Sequence, residues 1–277
     1  HHLDAPEAGL AALRDVLNDE GGMGVMVYGE LGRRGVYDMQ ALAEALAPQD
    51  LMPAARLVAG RRLFAELPAT YWLKRNPFVR DHIDGGDAGF YDLLLHARDR
   101  AYTVEAFGRL VASAGLEIVS FIEAALYEPA TYMKDRELLA RASALPPLEQ
   151  AALAERLAGM MTKHVAYLAP GARAARATAQ PNDPALTPVL RDGNGPALAA
   201  AARSGRIVAE HMGLKLARPL PRLAPAILQR VDGVASLAEI HAGIAAADPA
   251  LDWQRFQLAF EEVFRAMNGL NLMWLRR

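Results

Sequence analysis

Two short stretches concentrate the side chains able to do chemistry. The denser is His96-Ala97-Arg98-Asp99-Arg100-Ala101-Tyr102. A histidine titrates near neutral pH and can accept or return a proton there, which makes His96 a candidate base. Asp99 can pair with either neighbouring arginine, and Arg98, Asp99 and Tyr102 are candidate substrate contacts. The same residues also read as a salt-linked entry to a helix. The second stretch is Gly29-Glu30-Leu31-Gly32-Arg33-Arg34-Gly35, with Tyr37 just beyond. Two arginines on a glycine-flexible turn can grip an anionic group through paired N–H donors, so Arg33, Arg34 and Tyr37 are candidate substrate contacts. The plain alternative is a solvated turn. Trp72, Asn76, Phe78 and Tyr91 read either as a lid over a pocket or as the packing of a long insertion. His82 with Asp81, Asp84 and Asp87 fits no common ligand spacing and reads as a solvated acidic loop, so no metal is expected. His164, beside Met160 and Met161, reads as a packed core histidine.

The elements that must hold these groups are legible in outline. Residues 4–20 carry Leu10, Leu13 and Leu17 at helical spacing, with Asp4 and Glu7 placed as a capping box and Gly21-Gly22 as the stop. Met23 to Tyr28 is an apolar run that suits a strand covered on both faces. The glycine turn follows its carboxyl end, where ligands bind in open α/β sheets. Helices are predicted over 36–47 and 53–66, and an inserted loop over 68–91. Thr103 caps a helix over 103–114 whose apolar face includes Phe107, Leu110 and Val111, and Leu116 to Ile122 is the next strand. Beyond Pro129 the pattern turns helical. An amphipathic helix is predicted over 147–166, a linker or long loop over 169–196 and a helix over 197–212. The last 60 or so residues read as helices over 224–231, 236–246 and 252–267 and a strand from Leu270 to Leu275, with Ser236 and Glu239 as a capping box.

The composition narrows the classes. The chain has 277 residues, 52% hydrophobic and 22% charged, with a formal net charge of −2. A nucleic-acid partner held by bulk electrostatics is therefore not expected. Cysteine is absent, which removes disulfides and thiolate chemistry and fits a reducing, cytoplasmic compartment. No apolar run is long enough to span a membrane. His1-His2 opens the sequence without a methionine, either as a tag remnant or as the start of a fragment cut inside a domain.

His1-His2-Leu3, Pro6 to Leu10, Leu17, Gly21-Gly22 and the strand to Tyr28 closely resemble the middle of class I S-adenosylmethionine-dependent methyltransferases. There a fourth strand ends in a short His-containing segment, and a helix, a Gly-Gly turn and the fifth strand follow. The unit from Ala101-Tyr102-Thr103-Val104 through Gly115-Leu116 to Phe121 looks like that family's later helix and sixth strand. The resemblance implies an incomplete Rossmann-like α/β sheet in residues 1–128. It also implies a helical accessory region with linker over 129–218, similar to regulatory regions of some bacterial members, and a winged-helix-like unit over 219–277. It places His1 and His2 near the cofactor's methyl end, with His2 able to act on the acceptor, and turns Tyr28 towards the acceptor pocket. The family's cofactor loop and acidic ribose ligand belong to earlier strands, so this chain alone is expected to bind S-adenosylmethionine poorly. A sheet cut there should leave an edge and an apolar face uncovered, with residues 1–128 prone to aggregate alone. The resemblance further requires Met23 to Tyr28 to lie beside Leu116 to Ile122 in one sheet. The expected partner is a small-molecule or protein methyl acceptor, with a homodimer conceivable. The competing reading is a non-enzymatic protein- or DNA-binding module built on the last unit. Near-equal acidic and basic counts there argue against DNA.

Overall fold

A computed structural model describes residues 1–96, 98–174, 177–211 and 213–277. Ala97 of the polar cluster, Ala175 and Arg176 of the predicted linker, and Met212 at the end of the predicted 197–212 helix lie outside the described residues. Helix α1 (Pro6–Asp15) leads into β1 (Met23–Gly29), and α2 (Val36–Leu46), α3 (Pro53–Glu66), α4 (Asp81–Asp84) and α5 (Gly86–Leu95) form a helical insertion. The short β2 (Ala101–Tyr102), α6 (Val104–Ser113) and β3 (Leu116–Phe121) follow. Then come α7 (Arg136–Ser143), α8 (Pro147–Ala158), β4 (Lys163–Pro170), α9 (Gly171–Ala174), β5 (Thr187–Leu190) and α10 (Gly195–Ala202). The chain closes with a β6 (Arg206–His211) and β7 (Leu214–Pro219) hairpin, α11 (Ala224–Leu228), α12 (Leu237–Ala245), α13 (Trp253–Gly269) and β8 (Met273–Arg276).

The principal sheet has the strand order β2-β1-β4-β3. β1 and β3 therefore share a sheet, but they are not adjacent, which corrects the expectation that Met23 to Tyr28 lies beside Leu116 to Ile122. β4 lies between them, antiparallel to both, with Val27 opposite His164 and Ile118 opposite Leu168. This corrects the prediction of one helix over 147–166. Gly159 adopts φ 64 and closes α8, its N–H bonding the Glu155 carbonyl. Beyond it, burial alternates: His164, Ala166 and Leu168 point inward while Lys163 and Tyr167 point out, which is strand periodicity. The predicted helix over 197–212 likewise ends at Ala202. Gly205 (φ 75) turns the chain into β6. Part of the predicted 169–196 linker is β5, and the later part of the predicted loop over 68–91 is α4 and the start of α5.

One face of the sheet is covered by α1 and α6, where Leu10, Phe107, Val111, Leu116, Ala166 and Leu168 form a buried cluster. On the other face Gly24, Met26 and Tyr167 are exposed, Met26 by 41%, so β1 is not covered on both sides as predicted. Thr103 caps α6 by accepting from the Ala106 N–H, as predicted. Asp4 does not cap α1. It pairs with Arg98 at 2.8 Å, and Ala5 occupies the cap position.

In the closing region the capping box of Ser236 and Glu239 is present. β8 pairs with β5, and β6 with β7, so the winged-helix reading finds no support as a self-contained unit. A single buried cluster runs from Val104, Ala125 and Leu126 through Met160 to Phe256, Phe260 and Met273, joining the end of the sheet to the helices. Among the described residues no helix is long and apolar enough to cross a membrane.

Candidate active site

The two chemistry-bearing stretches meet at the carboxyl end of β1. β2 brings Ala101 and Tyr102 alongside Tyr28 and Gly29 in parallel register, and the Glu30 N–H bonds the Tyr102 carbonyl at 3.0 Å. The centre of the meeting is an ion pair. Arg33 Nη2 donates to Asp99 Oδ2 at 2.7 Å, and both side chains are almost fully buried. Gln40 Nε2 donates to the same oxygen at 3.1 Å, and Arg33 Nε donates to the Tyr37 hydroxyl at 3.1 Å. The Arg33 guanidinium also lies 3.7 Å from the centre of the Tyr28 ring, a cation–π contact. Asp99 therefore pairs with Arg33 rather than with either sequence neighbour. Arg33 is committed to this pair, and the prediction that Arg33 and Arg34 act together on an anionic substrate is corrected accordingly. Arg34 is exposed, as is Arg98. Burial raises the Tyr28, Tyr37 and Tyr102 hydroxyls above their usual range. The neighbouring Arg33 opposes that for the first two, and Arg100 for the third.

The glycines of the turn serve packing. A Cβ on Gly32 would lie 2.3 Å from the Met161 carbonyl group, and one on Gly35 the same distance from the Leu73 nitrogen. Gly35 also needs φ 87. The turn is thus pressed between the segment entering β4 and the insertion, and Asn76 Nδ2 donates to the Gly32 carbonyl at 2.9 Å. Asn76 is a strut between insertion and turn. Trp72 and Phe78 face solvent instead of closing over Tyr28, and Tyr91 packs on the core of the insertion.

The histidines assemble around Tyr28. His1 lies 4.4 Å from the Tyr28 ring centre and 4.2 Å from His2, and His2 lies 4.5 Å from His96. The tautomer of each neutral ring can be read from its partners. His2 Nδ1 contacts the Arg98 carbonyl at 2.6 Å; a carbonyl only accepts, so Nδ1 carries the proton and Nε2 keeps its lone pair. His96 Nδ1 instead accepts from the Arg98 N–H at 3.0 Å, which uses its lone pair and leaves Nε2 as the donor. Of the two candidate bases, His2 has the free lone pair. Two buried polar atoms here have no partner, Asp99 Oδ1 and the Tyr102 hydroxyl.

Behind the site lies a group that the sequence reading missed in part. His164 is buried, as expected of a core histidine, but it stands on β4. Its Nε2 is 3.1 Å from the Tyr102 carbonyl and 3.2 Å from Glu155 Oε1, and its Nδ1 is 3.0 Å from the Tyr127 hydroxyl. Glu155 Oε2 accepts from the Val104 N–H at the start of α6. The chain Tyr127–His164–Glu155–Val104 fixes β4, α8 and α6 to the strand that carries Tyr102. A polar pattern in α8 gave no sign of it, because Glu155 sits among alanines with no charged neighbour on its buried face. At the acidic loop, His82 is buried while Asp84 pairs with Arg80 and Asp87 with Arg61. Among the described residues no three metal-ligating side chains converge.

With this geometry in place, comparison with known proteins becomes informative. No family model matches the sequence. An uncharacterized protein of Synechococcus sp. is 31% identical over 133 residues, which are 47% of this chain and 31% of that protein. PKMT2 from Rickettsia typhi is similar in structure at 11% identity, with a TM-score of 0.53, rising to 0.57 for its complex with AdoHcy. Each likeness covers 97% of this chain. The fold is similar to that of PKMT2, a protein seen with AdoHcy. The likeness takes in the helical region as well as the sheet, and the chain spans 55% of the PKMT2 chain.

The rings of His1, His2, His96 and Tyr28 gather at the carboxyl end of β1, while Tyr102 is buried on the opposite face of the sheet. The glycine turn, its backbone packed against Met161 and Leu73, has no room to cradle a nucleotide.

Proposed function

We propose that this chain forms the acceptor side of an S-adenosylmethionine-dependent methyltransferase whose acceptor is a protein side-chain amine. The observation that carries the proposal is the likeness to PKMT2, a protein lysine methyltransferase seen with AdoHcy, across nearly the whole chain. The cofactor supplies an electrophilic methyl group on sulfur. The protein's task is to align the acceptor and, for an ammonium, to remove a proton before attack. His2 is the base in this reading, through Nε2. His1 and Tyr28 line the cofactor's methyl end in this reading. Tyr102, buried on the opposite face of the sheet, and Asp99, held by Arg33, support the site from behind. Arg33 and Tyr37 act as positioning residues that hold Asp99 and Tyr28. Arg34 and Arg98, both exposed, meet the acceptor's surroundings, and His96 donates from Nε2.

Two measurements test the proposal. Calorimetric titration of residues 1–277 with S-adenosylmethionine should show no micromolar binding, because the chain contributes only the methyl end of the site. In a form of the protein that does bind the cofactor, transfer of labelled methyl to protein lysine should fall with His2→Ala more than with His96→Ala, and the acid limb of the pH profile should move only with the former. Equal effects of the two changes, or transfer to free small molecules and never to protein, would count against it.

A further inference from the structure

The helical insertion carries a cavity that the methyl-transfer site does not use. It encloses about 260 Å³ between the end of α3 and the segment 73–83. Phe64 and Leu73 form its floor, and Lys74, Arg75 and Arg80 its rim. No carboxylate lines it. Arg80 pairs with Asp84, and Lys74 Nζ donates to the carbonyls of Ala65 and Leu67. Among the described residues Arg75 has no acidic partner; its guanidinium lies 5.8 Å from the Trp72 ring centre. The wall contains His82, 5% exposed, whose Nδ1 has no hydrogen-bond partner. Burial lowers the pKa of this imidazole. Ile83, which lines the cavity, is an exposed apolar side chain, and Trp72 and Phe78 on the same chain segment are exposed as well.

An apolar floor, a cationic rim and an unsatisfied polar atom in one cavity are the features of a recognition pocket. Its volume suits one large side chain, and the exposed Ile83 extends contact beyond it, as at protein interfaces. The cavity also backs onto the candidate active site. The backbone at Leu73 touches Gly35, and Asn76, which lines the cavity, bonds the Gly32 carbonyl. We infer that this pocket docks an acidic segment of the acceptor protein, with one aromatic or aliphatic side chain inserted over Phe64 and a carboxylate paired to Arg75. The inference rests on the methyltransferase reading for the identity of the partner, and it names the sequence character that reading leaves open.

Fluorescence anisotropy on the full chain tests it with three labelled peptides: one rich in Asp and Glu with a central Phe, the same with the Phe replaced by Ser, and a Lys-rich version with the Phe kept. The first should bind, and both controls should bind at least about tenfold more weakly. Arg75→Glu should cost a similar factor, as should Ile83→Asp. Arg75→Gln, a milder change, should give a smaller loss in the same direction. Binding should weaken as salt rises from roughly 50 to 300 mM. Equal binding of acidic and Lys-rich peptides would overturn the inference, as would an Arg75→Glu protein of unchanged thermal midpoint and unchanged affinity. Displacement of the peptide by phenylacetate at the peptide's own concentration would do so too, because it would make the site one for small carboxylates. The assay involves no cofactor. Failure of peptide binding therefore counts against the docking pocket alone, and failure of methyl transfer in a form of the protein that does bind the cofactor counts against the enzyme reading alone.

Discussion

At the carboxyl end of β1 a single guanidinium, that of Arg33, serves Asp99, Tyr37 and the face of Tyr28 together. A buried ion pair gains little over an apolar pair of the same shape, but breaking one leaves a bare charge out of water. Arg33→Met should therefore lower stability by about 3–5 kcal/mol in chemical denaturation. The double change Arg33→Met with Asp99→Leu should recover much of that loss; no recovery would mean that the pair is not what holds this corner. His82 gives a pH signature. Its pKa lies below the ordinary 6.5 because burial disfavours the charged ring. Below that value the unfolded chain binds a proton that the folded one resists, so stability falls as pH drops and is fully present above it. Between about pH 7 and pH 5 the urea midpoint should fall more steeply for the natural protein than for His82→Gln. Parallel slopes would show that His82 is protonated freely in the fold. The pairing of Asp99 was only half legible in sequence. Three charges stand in a row at 98–100, and nothing local says that the aspartate will prefer an arginine 66 positions away.

Elements with a local signal were readable from the residues. α6 has a cap, an amphipathic face and a glycine stop, and it forms where the sequence says. Thr103→Ala should cost about 1 kcal/mol of stability and reduce hydrogen-exchange protection in the first turn of α6, while α12 keeps its own protection. An unchanged exchange pattern would mean that Glu155, which accepts from the Val104 N–H, is cap enough. β4 was not readable as a strand. Leu153, Leu157, Met160, Met161 and His164 happen to continue a helical spacing across the true boundary, and the alternation that follows is only a few residues long. Gly159 was the available signal, because a glycine inside an amphipathic pattern is often its end. β6 was hidden in the same way behind the alanine-rich α10, with Ser204-Gly205 as the overlooked break. The insertion misled for another reason. Its prolines, glycines and aromatics resemble a loop, yet Phe90, Leu93 and Leu94 pack against Val36 and Met39 in a small core of their own.

At the scale of the molecule, the sheet is assembled from distant pieces. β1 and β3 have no hydrogen bonds to each other; each bonds to β4. The buried cluster that includes Leu126 and Tyr127 continues into α11, α12 and α13. Arg218 of β7 reaches back to Glu128 at 2.7 Å and to the Ala125 carbonyl at 3.2 Å. A protein ending at residue 128 should therefore lack a cooperative thermal transition by circular dichroism, whereas residues 1–277 should show one. A sharp transition in the shorter form would contradict the role given to β4. The position of β4 also has a consequence in time. Its pairing with β1 closes a loop of roughly 140 residues, a large entropic step that slows assembly. During synthesis at about 5–20 residues per second, β1 must wait many seconds, with Val25 and Val27 bare, before its neighbour leaves the ribosome. The insertion and α6 can form in that interval, so the newborn chain passes through a state in which its helices are made and its central strand is still missing, and it is in this state that a chaperone would find it.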